Sequence, residues 1–309
     1  MINKRMYILV LLFVLILVKS NAQSLPMYSQ YMYNMTNINP AYAGNRGVPS
    51  LSVIWREQWV GLPGSPSTKS FTFDLPSNNK KNGFGIQLFD DKYVNYIKRT
   101  GVNLYYNLKI PVSEKGVLSF GFKGGFYNDM KNLTNTYLGS SSSYLTDNAY
   151  ASNLNQNVPL VGTGIYYNDD KFYLGLSSPD LVVFSKVKRY NADKSLFQVN
   201  EIHYFLTSGY SFDINEEVQL KPSFLLKATS GAPLELDLNT NIWLKNSVGL
   251  GLSYRTGESV LGMAEVQITP QVRFGYAYDM PFKRPNSHEL FLRYEIGRLF
   301  PNGKSYKLF

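Results

Sequence analysis

The chain has no cysteine among its 309 residues. That removes disulfides, thiolate nucleophiles, cysteine-ligated metal and a thiol for lipid attachment. Histidine is nearly absent too: His203 and His288 are the only two, and they share no metal-binding spacing of the HExxH kind. No GxSxG nucleophile elbow occurs. The formal charge of +9 is not gathered into a dense Lys/Arg cluster, which argues against a nucleic-acid partner. Past residue 22 no apolar run approaches the roughly 20 residues of a transmembrane helix. Catalysis, a metal and a cofactor are therefore not expected; the two histidines read as a polar interior residue (His203) and a solvated side chain near a loop (His288).

What is present begins with an export signal. Lys4 and Arg5 precede an unbroken apolar run from Tyr7 to Val18, and Ser20-Asn21-Ala22 supplies small residues for cleavage. Residues 1–22 are read as a cleaved signal peptide, with Gln23 the mature N-terminus. Removing Lys4, Arg5 and Lys19 lowers the charge from +9 to +6 (9 − 3). Aromatic residues make up 15%, led by 24 Tyr and 19 Phe, a composition suited to the interfacial girdles of a membrane barrel.

The body of the sequence alternates with period 2 in segments of about ten residues between turn signals. Leu234, Leu236, Leu238, Thr240, Ile242 and Leu244 fall on one face, and Glu235, Asp237, Asn239 and Asn241 on the other. Val248 to Tyr254, Val272 to Tyr278 and Leu290 to Ile296 repeat the pattern. About fourteen strands are expected, near 50–59, 67–75, 82–91, 97–110, 116–127, 157–167, 171–178, 200–213, 217–228, 233–244, 246–255, 258–268, 271–280 and 288–300. Every second connection is tight (76–81, 111–115, 168–170, 214–216, 245, 269–270). The others include the wide gaps 128–156 and 179–199. Short turns at one end and longer loops at the other are the signature of an outer-membrane barrel. The expected fold is therefore all-β: a single transmembrane barrel of about 14 antiparallel strands over residues 50–300, both termini periplasmic, with a short tail at 301–309.

Residues 23–49 suit neither strand nor disorder. Tyr28, Tyr31, Tyr33 and Tyr42 sit among Asn, Gln and Ser, and Asn39-Pro40 and Ala43-Gly44 interrupt regular structure. A flexible tail seldom carries so many aromatics, so this leader is expected to fold back into the lumen as a plug. Within the strands, Glu235, Asp237, Glu265, Glu295, Lys109, Lys123, Lys221, Arg273 and Arg293 fall mostly on polar faces, and are read as lumen-filling ion pairs rather than catalytic groups. Gly121, Gly124 and Gly125 are read as room for tight curvature.

Asn39-Pro40-Ala41-Tyr42-Ala43-Gly44, followed by Arg56, Gln58-Trp59, Gly61, Gly64 and Ser67-Thr68, resembles the PorP/SprF family, outer-membrane proteins associated with type IX secretion in Bacteroidetes. The resemblance implies an accessory of export, similar to plugged barrels of the long-chain fatty-acid transporter type. It implies as partners the outer-membrane lipid, a secreted cargo protein such as an adhesin, including those of gliding motility, and components of the secretion machinery. The residues expected to couple leader to wall are Asn39, Pro40, Tyr42, Gly44, Arg56, Gln58 and Trp59. The rival expectation is a passive channel or hydrophobic-solute transporter.

Overall fold

The computed structural model describes residues 28–132, 153–187, 196–199, 202–229 and 232–297. The expected signal peptide, the tail 301–309 and most of the loop 128–156 lie outside them.

Sixteen strands follow one another: β1 (Ser50–Glu57), β2 (Ser67–Pro76), β3 (Asn82–Val94), β4 (Ile97–Pro111), β5 (Val117–Lys131), β6 (Leu154–Asn168), β7 (Phe172–Val187), β8 (Leu196–Val199), β9 (His203–Tyr210), β10 (Phe212–Asp213), β11 (Val218–Thr229), β12 (Glu235–Leu244), β13 (Val248–Arg255), β14 (Ser259–Gln267), β15 (Val272–Pro281) and β16 (Ser287–Glu295). All pair antiparallel, each with its sequence neighbour except around β9, and β1 pairs with β16 from Ser50↔Glu295 to Glu57↔His288. β9 bridges β7 and β11, so the ring closes with fourteen strands. The short β8 and β10 are side pairings on β7 and β11. Closure leaves the wall no open edge along its length, the condition for placing backbone in lipid.

The alternation sorts side chains as expected. On β12, Asp237 is 2% exposed and Leu238 49%. Outward positions around the ring are apolar, including Val53, Phe71, Leu88, Leu104, Phe122, Ile165, Leu176, Leu252 and Leu292. All nine charged residues read above as inward are buried. Lys245 and Asn246, both near φ +50°, make the turn in the three-residue connection 245–247 between β12 and β13. Gly61 (φ +97°) and Gly64 (φ +78°) turn the connection between β1 and β2.

Three segments differ from expectation. β5 and β6 run on to Lys131 and back to Leu154, shrinking the wide gap: Asn128 donates to Asn155 (2.6 Å) and Asn157 (3.1 Å), so residues that read as loop formers cross-link the pair. β7 runs on to Val187 past an irregularity where Thr163 faces Ser178 but Val161 faces Val182. Pro179 within it has no N–H to give the ladder, which made the strand look finished at residue 178. The expected strand 200–213 is divided into β9 and β10, with Ser211 between them.

Candidate functional site: the leader inside the ring

The sequence Tyr28 to Arg46 forms three single turns of 3-10 helix, Tyr31–Tyr33, Met35–Asn37 and Pro40–Tyr42. Pro40 is preset for the first position of the third turn, and the Asn39 side chain caps it by accepting from the Ala41 N–H at 2.9 Å. Local bonds such as Tyr33 N–H to the Gln30 carbonyl and Tyr42 N–H to that of Asn39, each 3.0 Å, satisfy part of the leader's backbone. The wall supplies further partners, and nearly every described leader residue is buried.

At the end of the ring where the longer connections lie, Glu289 accepts from the backbone N–H groups of Ser29 (2.8 Å) and Gln30 (2.7 Å). Arg56 donates to Ser29 Oγ, lies 3.4 Å from Glu289 and bonds Asp279 at 2.8 Å. Farther along, Asn239 donates to Tyr31 (2.8 Å), and Tyr33 donates to Asn241 (3.2 Å). Asn34 and Asn37 bond Thr72 and Ser70 on β2. Ser177 of β7 donates to the Ile38 carbonyl at 2.8 Å, and Asn39 donates to that of Ile165 on β6 at 3.0 Å. At the short-turn end, the Gly44 N–H donates to Asp74 (3.0 Å), Asn107 donates to the Ala43 carbonyl (2.9 Å) and Lys109 to that of Gly44.

The described leader therefore runs from the level of the long connections down to the start of β1 at the short turns. Within it, Tyr28 lies toward the end opposite Ser50; the expected mature N-terminus at Gln23 lies outside the described residues. Glycines make the fit possible. A Cβ on Gly121 would stand 2.0 Å from the Ala41 nitrogen, one on Gly164 2.1 Å from Asn39, and one on Gly83 2.0 Å from the Ala43 carbonyl oxygen. Gly121 is thus a place of close approach to the leader rather than a point of curvature; Gly124 faces open space. Gly44 itself has φ +67° and would place a Cβ 2.6 Å from the Leu75 carbonyl.

Of the residues expected to couple leader and wall, Asn39, Pro40, Tyr42, Gly44 and Arg56 meet in this buried contact. Tyr42 packs edge-on to Tyr166, 5.4 Å between centroids. Gln58 and Trp59 stand apart, in the connection after β1. Gln58 bonds the Pro66 carbonyl, and Trp59 (φ +51°) donates its N–H to Ser287 and lies under Arg284, 4.2 Å from the ring centre. They hold two connections together, not the leader. Sequence reasoning did not single out Glu289, Asp279 or Asp74, whose carboxylates hold the leader and Arg56.

The remaining inward charges form paired groups. Arg255 grips Asp237 through two nitrogens at 2.9 and 3.0 Å, with Asp279 at 3.7 Å. Arg273 pairs with Glu265 and Arg293 with Glu295, each at 3.2 Å. His203 is buried and inward, as parity suggested. His288 is not simply solvated: its Nδ1 lies 2.6 Å from the Tyr276 hydroxyl on the outward face. No group of three metal-ligating side chains occurs among the described residues.

A closed ring with an apolar exterior and a charged, occupied interior defines an integral β-barrel of the outer membrane. Residues 20–294 match the family model described as "Type IX secretion system membrane protein PorP/SprF", and the chain belongs to that family. It is an outer-membrane protein, associated through its family with the type IX secretion machinery. No curated protein sequence matches it. Among solved structures it is similar to the outer membrane protein Omp33 of Acinetobacter baumannii (TM-score 0.46, 8% identity, 81% of this chain and 99% of that one). It is also similar to the CymD monoaromatic hydrocarbon channel (0.45, 10%, 88% and 93%) and a KdgM porin in complex with disordered oligogalacturonate (0.42, 8%, 80% and 99%).

Proposed function

We propose that this barrel is a non-catalytic receptor or anchor of type IX secretion, which holds a secreted or surface-attached cargo protein, such as an adhesin, at the cell surface while its own leader plugs the lumen. One observation carries the reading. The leader is bonded to β1, β2, β4, β6, β7, β12 and β16, which surround it on all sides. A solute path through the ring would have to break these contacts, whereas a receptor needs only a rigid frame for its outer connections. Recognition then falls to those connections, among them the arm formed by the end of β7 with β8.

Two measurements test this. Wild-type barrels in planar bilayers should conduct little, while Arg56→Ala or deletion of residues 28–42 should raise the conductance or its noise without unfolding the wall. Purification from the native host in mild detergent should bring a secreted protein along. An open-porin conductance in wild type, unchanged by either alteration, would favour the passive channel instead.

A further inference from the structure

The outward face of the wall carries an asymmetry that neither lumen nor cargo explains. Cross-strand register places its side chains in rows. One row, Leu292, Val53, Phe71, Leu88 and Val102, is wholly apolar. The next toward the long connections reads Leu290, Trp55, Lys69, Asp90 and Thr100, and the one beyond it His288, Glu57, Ser67, Lys92 and Lys98. Lys283 and Arg284 follow in the adjoining connection, Arg284 over Trp59. Five cations (Lys69, Lys92, Lys98, Lys283, Arg284) thus face two carboxylates (Glu57, Asp90), an excess of +3 (5 − 2). The carboxylates are engaged: Asp90 with Lys98 at 3.0 Å and Thr100 at 2.6 Å, Glu57 with the Trp55 indole at 2.6 Å and Ser67 at 2.8 Å. Lys69, Lys92, Lys283 and Arg284 make no ion pair among the described residues.

Among the described residues, the outward strand positions at the same depth on the opposite arc are uncharged, with Tyr204, Leu236, Tyr254 and Val260, and the β13–β14 connection there carries the carboxylate Glu258. The six short turns balance, with Lys80, Lys81, Lys115, Lys171 and Lys245 against Glu114, Asp169, Asp170, Glu216 and Glu217 (5 − 5). Among the described residues the excess therefore lies on one arc and at one end of the wall. It begins where the apolar belt ends, the level at which acyl chains meet headgroups and tryptophan settles. Lys69, with its ammonium 5.3 Å from the Trp55 ring centre, has its stem beside the apolar row and its charge at that boundary.

We infer that the outward arc of β1 to β4 with the β15–β16 connection is a binding site for phosphate-bearing lipid headgroups of the outer leaflet. Trp55 and Trp59 supply the apolar platforms and Lys69, Lys92 and Arg284 the charge. A juxtamembrane Lys or Arg is worth about 1 kcal/mol toward an anionic lipid surface, so removing three should weaken retention by on the order of a hundredfold.

The test uses the mature barrel purified in a neutral detergent and titrated with diphosphoryl lipid A or its dephosphorylated form, bound lipid being counted by native mass spectrometry. Wild type should retain the phosphorylated lipid selectively. The triple variant Lys69→Gln/Lys92→Gln/Arg284→Gln should lose that selectivity, and Lys80→Gln/Lys115→Gln/Lys245→Gln at the short turns should keep it. Heat-shifted gel migration verifies folding, and the single variant Lys69→Gln stands in if the triple fails to assemble. Equal retention of both lipids, equal loss in both triples, or full displacement by millimolar inorganic phosphate would overturn the site. So would a first triple that keeps the lipid but sheds a co-purifying protein, which would make the patch a protein contact.

Discussion

The wall and the leader are held by opposite kinds of bonding. The wall is a backbone ladder, in which each strand satisfies its neighbour whatever side chains it carries, so long as apolar and polar alternate. The leader has almost no ladder. Apart from the local bonds of its short turns, its carbonyls and N–H groups are met by particular side chains: Glu289 for two N–H groups, Ser177, Asn107 and Lys109 for carbonyls. A wall position should therefore tolerate any residue of the right polarity, whereas a leader contact should depend on the identity of one atom. Backbone donors and acceptors left buried without partners cost about as much as a lost hydrogen bond, which makes the leader the more easily dislodged part.

The largest effect should come where the inward face stops behaving as a solvated surface. Asp237 would be an ordinary lumen residue, able to accept a charge reversal, if water reached it. Instead it is gripped by Arg255 in a buried pair. Asp237→Arg sets two guanidinium groups together and strips Arg255 of its partner. Breaking a buried pair costs about 3–5 kcal/mol. The barrel's urea midpoint, read by loss of heat-shifted migration, should fall accordingly. Next in size is Leu238→Arg, one residue along and on the lipid side, at about 2–4 kcal/mol near the midplane. Burial of Asp237 in its pair with Arg255 should thus make the lumen-side change the costlier of the two. A milder effect of Asp237→Arg would show the inward face to be wet after all.

Those two neighbours also show how far the sequence could be read. Period 2 separates Leu238 from Asp237 with no knowledge of the fold, and the cadence of turns yields fourteen strands and their order. Alternation is local, because successive side chains must point opposite ways. What alternation cannot state is who meets whom across the lumen. Asp237 and Arg255, 18 residues apart, face each other on the neighbouring strands β12 and β13, whereas Ser29 and Glu289 are 260 apart and meet only because the leader lies inside the ring. Gly121 is the same case: a strand glycine admits several readings until Ala41 is found resting on it. Trp59 misled because its position beside Arg56 in the chain suggested a shared task, although Arg56 points inward and Trp59 lies past the strand's end.

Gly121→Ala sharpens the comparison from the wall side. The added methyl would stand 2.0 Å from the Ala41 nitrogen, while the β5 backbone pairings to Leu104–Leu108 and Ile165–Thr163 remain available. Overpacking of this kind costs about 1–3 kcal/mol, and here the leader should yield rather than the strand. Limited proteolysis should then cut within residues 28–46 at a protease level that leaves wild type intact, with little change in the wall's urea midpoint. A wall that unfolds together with the leader would mean that the two form one cooperative unit.

Trp59→Ala should have the smallest effect, and it separates contact in sequence from contact in space. If Trp59 coupled leader to wall, its loss would expose residues 28–46 as Gly121→Ala does. In the structure its ring meets Arg284, a contact worth about 0.5–1 kcal/mol at an exposed site. Its backbone N–H reaches Ser287, and the next residue's N–H reaches the Asn286 carbonyl; alanine would keep both. The φ of +51° at this position is tolerated poorly by alanine and tryptophan alike, so the backbone term nearly cancels between them. The β1–β2 and β15–β16 connections should therefore loosen slightly. Amide exchange should quicken at Val60 and Ser287, while the protection of the Ser29 and Gln30 amides held by Glu289 stays unchanged. Faster exchange at Ser29 and Gln30 would place Trp59 in the leader contact after all, through Ser287 and its neighbour Glu289.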